Sequence, residues 1–171
     1  MNTKVLVAYA SKYGATEEIA ERIALKLSQT GLIVDIRKAG NITNLQVYSA
    51  IVLGSAVYVG QWRKHAAKFL RKNAKFLSEK PTWLFSSGPT GKGNAVEMMK
   101  GWNFPHILQP IADKIKPLDI AFFHGEVNME KINFFERLVI NKMHVPTGDY
   151  RNWDIIDQWA LKIADSLATP I

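Results

Sequence analysis

The residues best placed to do chemistry are Ser11, Lys12, Tyr13, Gly14, Ala15 and Thr16. Hydroxyl groups, a glycine and an ammonium fall within six positions, between an apolar run ending at Ala10 and a helix-forming stretch that starts at Thr16. Backbone N–H groups at such a junction, backed by the positive end of the helix dipole, bind phosphate. Ser11 and Thr16 add hydroxyl donors, and Gly14 permits close backbone approach. The competing reading is a plain helix cap, with Thr16 capping and Glu17 and Glu18 in the first turn.

Other phosphate and metal chemistries do not fit. A nucleoside-triphosphate loop needs Gly-x-x-x-x-Gly-Lys-Ser/Thr. Around Lys92, Ser86 stands where the leading glycine belongs and Gly93 where the hydroxyl belongs. No Gly-x-Gly-x-x-Gly follows the first apolar run, which weighs against a dinucleotide there. The chain has no cysteine, so disulfides, thiolate metal sites and cysteine nucleophiles are excluded. His65, His106, His124 and His144 are scattered without metal-ligand spacing, and His124 is the best placed of them, at a strand end.

These residues need elements to position them, and the pattern alternates. Lys4–Tyr9, Leu32–Arg37, Ala50–Gly54, Pro81–Ser86 and Leu118–Gly125 read as strands. Thr16–Gln29, Trp62–Leu77, a segment around His106–Ile115, and Asn152–Leu167 read as helices. Strands alternating with helices predict an α/β fold with a doubly wound parallel sheet of five strands, covered on both faces. With 171 residues and no linker or repeat, one domain over 1–171 is expected. Ligands of such sheets sit beyond the carboxyl ends of the strands. The loops Ser11–Thr16, Ser55–Gln61 and Ser86–Asn94 are therefore expected to line one site.

Composition is that of an ordinary soluble chain, 47% hydrophobic and 22% charged. The apolar run at Val5–Ala10 is too short for a signal peptide, and no stretch approaches the roughly 20 apolar residues of a membrane span. The expected location is cytoplasmic, with a peripheral contact at the inner membrane face as an option. Net charge is +7, and Gln61–Lys80 holds seven basic residues against Glu79, a local +6. That stripe fits a solvated helix face, a dock for an acidic redox partner or an anionic membrane contact. Interleaved exposed aromatics are missing, so nucleic acid is not an expected partner. Lys131–Met143 forms one broad apolar face on a helical wheel. It would either pack on the chain's own core, the slightly favoured reading, or rest in a bilayer interface with Lys131 and Lys142 snorkelling.

Ser11–Thr16 resembles the phosphate loop of flavodoxins, which bind flavin mononucleotide (FMN). The order of elements is similar to theirs as well, which implies strand order 2-1-3-4-5. Gly54–Trp62 (GSAVYVGQW) and Ser86–Gly91 (SSGPTG) stand where that family carries its two isoalloxazine loops. Phe134–Met143 (FFERLVINKM) and Thr147–Asp154 (TGDYRNWD) resemble a particular branch, the menaquinone-dependent protoporphyrinogen dehydrogenases. In that branch an extra segment, here 126–150, follows the fifth strand. Two features depart from ordinary flavodoxins. No aromatic residue lies between Ser86 and Asn94, which leaves one flavin face open to substrate, and the chain is basic where flavodoxins are acidic.

The resemblance implies that FMN is held by Ser11, Lys12, Tyr13, Gly14, Ala15 and Thr16, by Ala56, Val57, Tyr58, Val59 and Gly60, and by Ser87, Gly88, Pro89, Thr90 and Gly91. Tyr58 is the main candidate to stack on the ring, with Trp62 second unless it belongs to the core. The Val59–Gly60 peptide would answer flavin N5, unless Gly60 merely starts a helix. The implied activity is electron passage from a reduced tetrapyrrole through FMN to a quinone. The alternatives are a small electron carrier between redox proteins and a quinone reductase with a nicotinamide donor. No side-chain nucleophile or acid–base pair is required, because the cofactor carries the chemistry.

Overall fold

A computed structural model of the chain describes residues 3–168, so both ends of the expected 1–171 domain lie outside the described residues. From the N-terminus come β1 (Lys4–Ala10), α1 (Ala15–Gln29), β2 (Ile33–Lys38) and β3 (Ala50–Tyr58). Next are β4 (Gln61–Trp62), α2 (Lys64–Lys72), α3 (Ala74–Ser78), β5 (Thr82–Ser87) and α4 (Ala95–Met98). The chain continues with α5 (Gln109–Ile115), β6 (Asp119–Phe123), β7 (Glu126–Val127), α6 (Phe134–Lys142), β8 (Gly148–Asp149) and α7 (Trp153–Ala168).

β1, β3 and β5 are interior strands of a parallel sheet ordered β2-β1-β3-β5-β6, the expected order once β4 is set apart as a short hairpin return. Strands buried on both faces read as continuous apolar runs, and Val5–Ala10 is buried throughout. The pleat alternates its side chains. Val5, Val7 and Tyr9 join Ile19, Ile23 and Leu27 of α1 and Ile156, Trp159 and Ile163 of α7. Leu6, Ala8 and Ala10 join Phe69 and Leu70 of α2, Leu77 of α3 and Ile115 of α5 on the other side. Gly54 is required where β3 passes β5, since a Cβ there would overlap the Phe85 ring beside it.

The predicted helix Trp62–Leu77 divides into three pieces. Val57 pairs with Trp62 and Tyr58 with Gln61, so Trp62 stays extended, and its indole N–H donates to Ser86 Oγ at 2.8 Å. Asn73 (φ −108, ψ 14) then separates α2 from α3 while its side chain donates to Phe69 O at 2.9 Å. The strand read as Ala50–Gly54 runs on to Tyr58, because this hairpin extends it.

The slightly favoured reading of Lys131–Met143 is overturned. α6 buries none of its residues, and Phe134, Phe135, Leu138, Val139 and the following Met143 are all exposed. Only Ile132, just before the helix, is buried. Both faces of the sheet are already covered by α1 with α7 and by α2, α3 and α5, so no core face remains for it. The excursion leaves and returns through the antiparallel β7–β8 pair. Helix α6 itself is tied to the domain by polar contacts of Glu136 with Lys12 and Tyr13.

Two outcomes follow from this packing. Gly54→Ala should lower unfolding stability by about 2 kcal/mol or more, the usual scale of overpacking, measured by urea denaturation. Asp157 links α7 to α1 through Arg22 at 2.6 Å and Lys26 at 3.1 Å, and the Arg22 hydrogen bond holds its carboxyl below the usual carboxylate range. A depressed carboxyl contributes stability above its unfolded pKa and loses it as pH falls through the folded one. Asp157→Asn should therefore lower Tm at pH 7, and the gap from the parent should close below about pH 4.

Candidate functional site

The turn from β1 into α1 leaves the first helical amides without a side-chain cap. Gly14, at φ 95, occupies the N-cap position and no side chain caps the helix. Ser11 Oγ accepts from the Gly14 N–H at 3.0 Å, which closes the turn. Thr16 does not cap. It is buried, and its hydroxyl is 2.8 Å from Ser87 Oγ. The N–H groups of Ala15, Thr16 and Glu17 open the helix, where no intrahelical acceptor is available. First-turn acids would oppose an anion, and only Glu18 is neutralised by an ion pair. Glu17 accepts from the Tyr9 hydroxyl, which burial, and then this carboxylate, push above its ordinary range. Glu18 pairs with Arg151 at 2.7 Å.

The three expected loops converge here. Ser11, Lys12, Tyr13, Ala15 and Thr16 share a pocket of about 90 Å3 with Ala56, Val57 and Tyr58 and with Ser87 and Gly88. The Thr16–Ser87 contact ties the first loop to the third. A fourth wall, Gly125–Val127, was missed by the sequence reading. Its signal was Gly125 just past the fifth strand, where a Cβ would sit 3.1 Å from the Gly88 carbonyl oxygen.

Other expected residues lie around this pocket. Gly14 faces a neighbouring cavity with Lys38, Arg63 and His65. The Pro89 carbonyl accepts from the Gly125 N–H at 3.0 Å, and the Thr90 hydroxyl donates to Pro146 O at 2.6 Å. Gly91 lines a separate cavity of about 350 Å3 beside His124. The buried His124 ring spans this loop, with Nδ1 2.9 Å from Pro89 O and Nε2 2.8 Å from Gly93 O. His124 is thus a loop-positioning residue, and the described residues contain no cluster of potential metal ligands.

Tyr58, Val59 and Gly60 form the tip of the β3–β4 hairpin. Val59 (φ 50) and Gly60 (φ 68) are both left-handed, the pattern of a type I′ turn, so Gly60 does not start a helix. A β-branched residue in that region is strained, and Val59 is fully exposed at 100%. The half-open Tyr58 ring has the Lys12 ammonium 5.7 Å and the Arg63 guanidinium 5.4 Å from its centroid. Burial pushes its hydroxyl up, while Lys12 and Arg63 pull against that. Trp62 belongs to the core, packed edge-on to Phe104 at 5.1 Å.

Tyr13, Tyr58 and Val59 also form one wall of an apolar cleft of about 320 Å3, whose far wall is Ile132, Val139 and Ile140. Glu136 crosses it, accepting from Lys12 Nζ and the Tyr13 hydroxyl. Behind it Arg151, only 4% exposed, donates to Asp149 and Glu18 at 2.7 Å and to Ala15 O at 3.2 Å. Burial opposes its charge, but these carboxylates outweigh it, so its pKa is raised.

Uncapped helix amides, a left-handed glycine with open space beside it and a pocket at the strand ends fit a flavin phosphate and its sugar chain. A family model described as the flavodoxin domain matches residues 6–154. The protoporphyrinogen IX dehydrogenase [quinone] of Escherichia coli (strain K12) is 27% identical over 172 residues, covering 94% of each chain. A flavodoxin from the domain Archaea superposes with TM-score 0.63 at 13% identity, covering 98% of this chain and 100% of that one. Oxidised Flavodoxin 2 from Bacillus cereus gives 0.62 at 20%, covering 96% and 99%. The chain therefore belongs to the flavodoxin-domain family, and its cofactor is FMN.

Proposed function

We propose that this protein is an FMN-dependent dehydrogenase that takes electrons from a reduced tetrapyrrole, or a similarly bulky planar donor, and delivers them to a quinone. The observation that carries this reading is the cleft between the Tyr58–Val59 hairpin and α6. A carrier that only exchanges electrons across its surface has no use for an apolar cleft of about 320 Å3 beside its flavin loops. The 27% identity to the Escherichia coli dehydrogenase, spread over 94% of both chains, supports the same class.

In this reading the Ser11–Thr16 loop holds the phosphate through its amides and hydroxyls, with Gly14 keeping the approach open. Ala56, Val57, Ser87 and Gly88 line the path of the sugar chain, and Pro89, Thr90 and Gly91 shape the outer loop. Tyr58 would stack on the flavin ring when FMN is bound, and the Val59–Gly60 peptide at the hairpin tip would supply a backbone hydrogen-bonding group beside it. FMN, when bound, supplies the redox chemistry. The protein's part is to exclude water with Ile132, Val139 and Ile140 and to fix the cleft through Glu136. The exposed Phe134, Phe135, Leu138 and Met143 then rest at an anionic membrane surface, where quinone is held.

A second reading, an electron carrier, is favoured by one feature: Arg63 lies 5.4 Å from the Tyr58 ring and the basic helix α2 follows it, a surface suited to an acidic redox protein. Stepwise anaerobic photoreduction separates the two. Direct passage to the two-electron reduced form is expected for the dehydrogenase, and build-up of a one-electron form would favour the carrier.

Quinone reduction with protoporphyrinogen as donor should exceed the uncatalysed rate, and absence of turnover would sink the dehydrogenase. Val139→Lys should raise KM for donor or quinone without changing FMN affinity. Tyr58→Ala should weaken FMN binding by about threefold to tenfold, the scale of one ring stack, read by flavin fluorescence. The intact protein should float with anionic vesicles, and the double change Phe134→Ser with Phe135→Ser should abolish flotation.

A further inference from the structure

A second basic site lies on the far side of the phosphate loop from α6, at the carboxyl ends of β1 and β2. A cavity of about 540 Å3 opens there between the 39–46 loop and α2. His65, Lys68 and Lys72 recur at helical spacing, so all three line it, whereas Arg71 and Lys75 do not. It adjoins a second cavity, of about 270 Å3, through Ala39, Gly40 and His65, and that one reaches Ser11 and Lys12 of the phosphate loop. Lys38 and Arg63 line the second cavity. The two together form a groove running from the phosphate loop along α2.

The charge of this groove is unbalanced. Its larger part contains no carboxylate, and the smaller contains only Glu17, which is engaged by Tyr9. Among the described residues, Lys38, Arg63, His65, Lys68 and Lys72 make no ion pair. Concave walls of one sign focus the field and concentrate counter-ions. Gly40 makes room for His65. A Cβ at residue 40 would lie 3.0 Å from its Nδ1, so Gly40 lets the ring sit against the backbone where the cavities meet.

The remaining lining identifies the ligand class. Ile42, Leu45, Phe69 and Phe76 supply apolar surface, and Asn44 and Gln46 supply amides that can meet the edge of a heterocycle. The volume lies within the roughly 300–1,000 Å3 of small-molecule sites, and its concavity does not suit a flat protein docking face. We propose that this groove binds the ADP moiety of a nucleotide, with the base on the Phe76 side and the diphosphate at His65, Lys68 and Lys72. A free nucleoside diphosphate and the ADP half of a dinucleotide share this chemistry. The proposal is independent of the function proposed above, because His65, Lys68, Lys72 and Phe76 are not among the residues assigned to FMN.

Titration calorimetry of the full chain loaded with FMN tests it, using ADP, NADH, inorganic pyrophosphate and a glutamate hexapeptide as probes. ADP should bind at least about tenfold tighter than pyrophosphate, the contribution of burying a base. The pair Lys68→Glu with Lys72→Glu should weaken ADP by about 100-fold or more, through loss of two charge-assisted contacts. The charge-matched pair Arg71→Glu with Lys75→Glu should change it less than about threefold, since exposed charges outside the groove act weakly. Lys68→Gln with Lys72→Gln gives a milder variant, and unchanged FMN affinity confirms the fold of each. NADH binding like ADP identifies the dinucleotide source, and ADP alone identifies the free nucleotide. Equal losses in the two charge-reversed pairs, ADP no tighter than pyrophosphate, preference for the hexapeptide, or no ADP binding would each overturn the proposal.

Discussion

Parallel pairing of β1 with β2 on one side and β3 on the other is the constraint on which the rest of this structure depends. A parallel sheet must be covered on both faces, and here α1 with α7 and α2 with α3 and α5 provide that cover. Unpaired backbone groups then collect where the strands end, so polar loops, glycines and helix starts gather along one edge of the sheet. Thr16 and Ser87 meet there although 71 positions separate them, because β3 alone lies between β1 and β5. The same constraint explains α6. With no sheet face free, an apolar helix inserted after β6 has to stand outside the core.

Electrostatics decide where that outer segment stands. Arg151 is nearly buried, and a buried guanidinium is tolerable only with carboxylates and carbonyls around it. It meets Asp149 on the returning strand, Glu18 and Ala15 O on α1, and the Trp153 ring at 4.7 Å. The exit of the excursion is thereby fixed to α1, just after the Ser11–Thr16 turn. Glu136 makes the second tie, from α6 to Lys12 and Tyr13. Near the start of α1, Glu18 is paired with Arg151, while the Glu17 carboxylate accepts from the neutral Tyr9 hydroxyl and keeps its charge. The Arg151 and Glu136 contacts therefore position the cleft against α1 and its preceding turn.

Much of this was legible in the amino-acid sequence. Runs such as Val5–Ala10 identify buried parallel strands by composition, and Ser11–Thr16 identifies a strand-to-helix turn, because each signal is local to a strand or a turn. The alternation of strands and helices, with the resemblance to flavodoxins, carried the strand order as well. Other features depend on partners distant in the chain. Trp62 sits in helical phase with its neighbours, yet pairing with Val57 and a bond to Ser86 hold it in a strand. Thr16 has the residue type of a cap, but Ser87 takes its hydroxyl. Gly125 joined the site only because Gly88 comes within 3.1 Å of the place its Cβ would occupy. The amphipathic pattern of Lys131–Met143 correctly announced a helix but could not say what it would face. Periodicity records which residues share a side, whereas burial depends on whether the rest of the chain has left a surface to cover it, and that is settled only when the sheet and all its helices are in place.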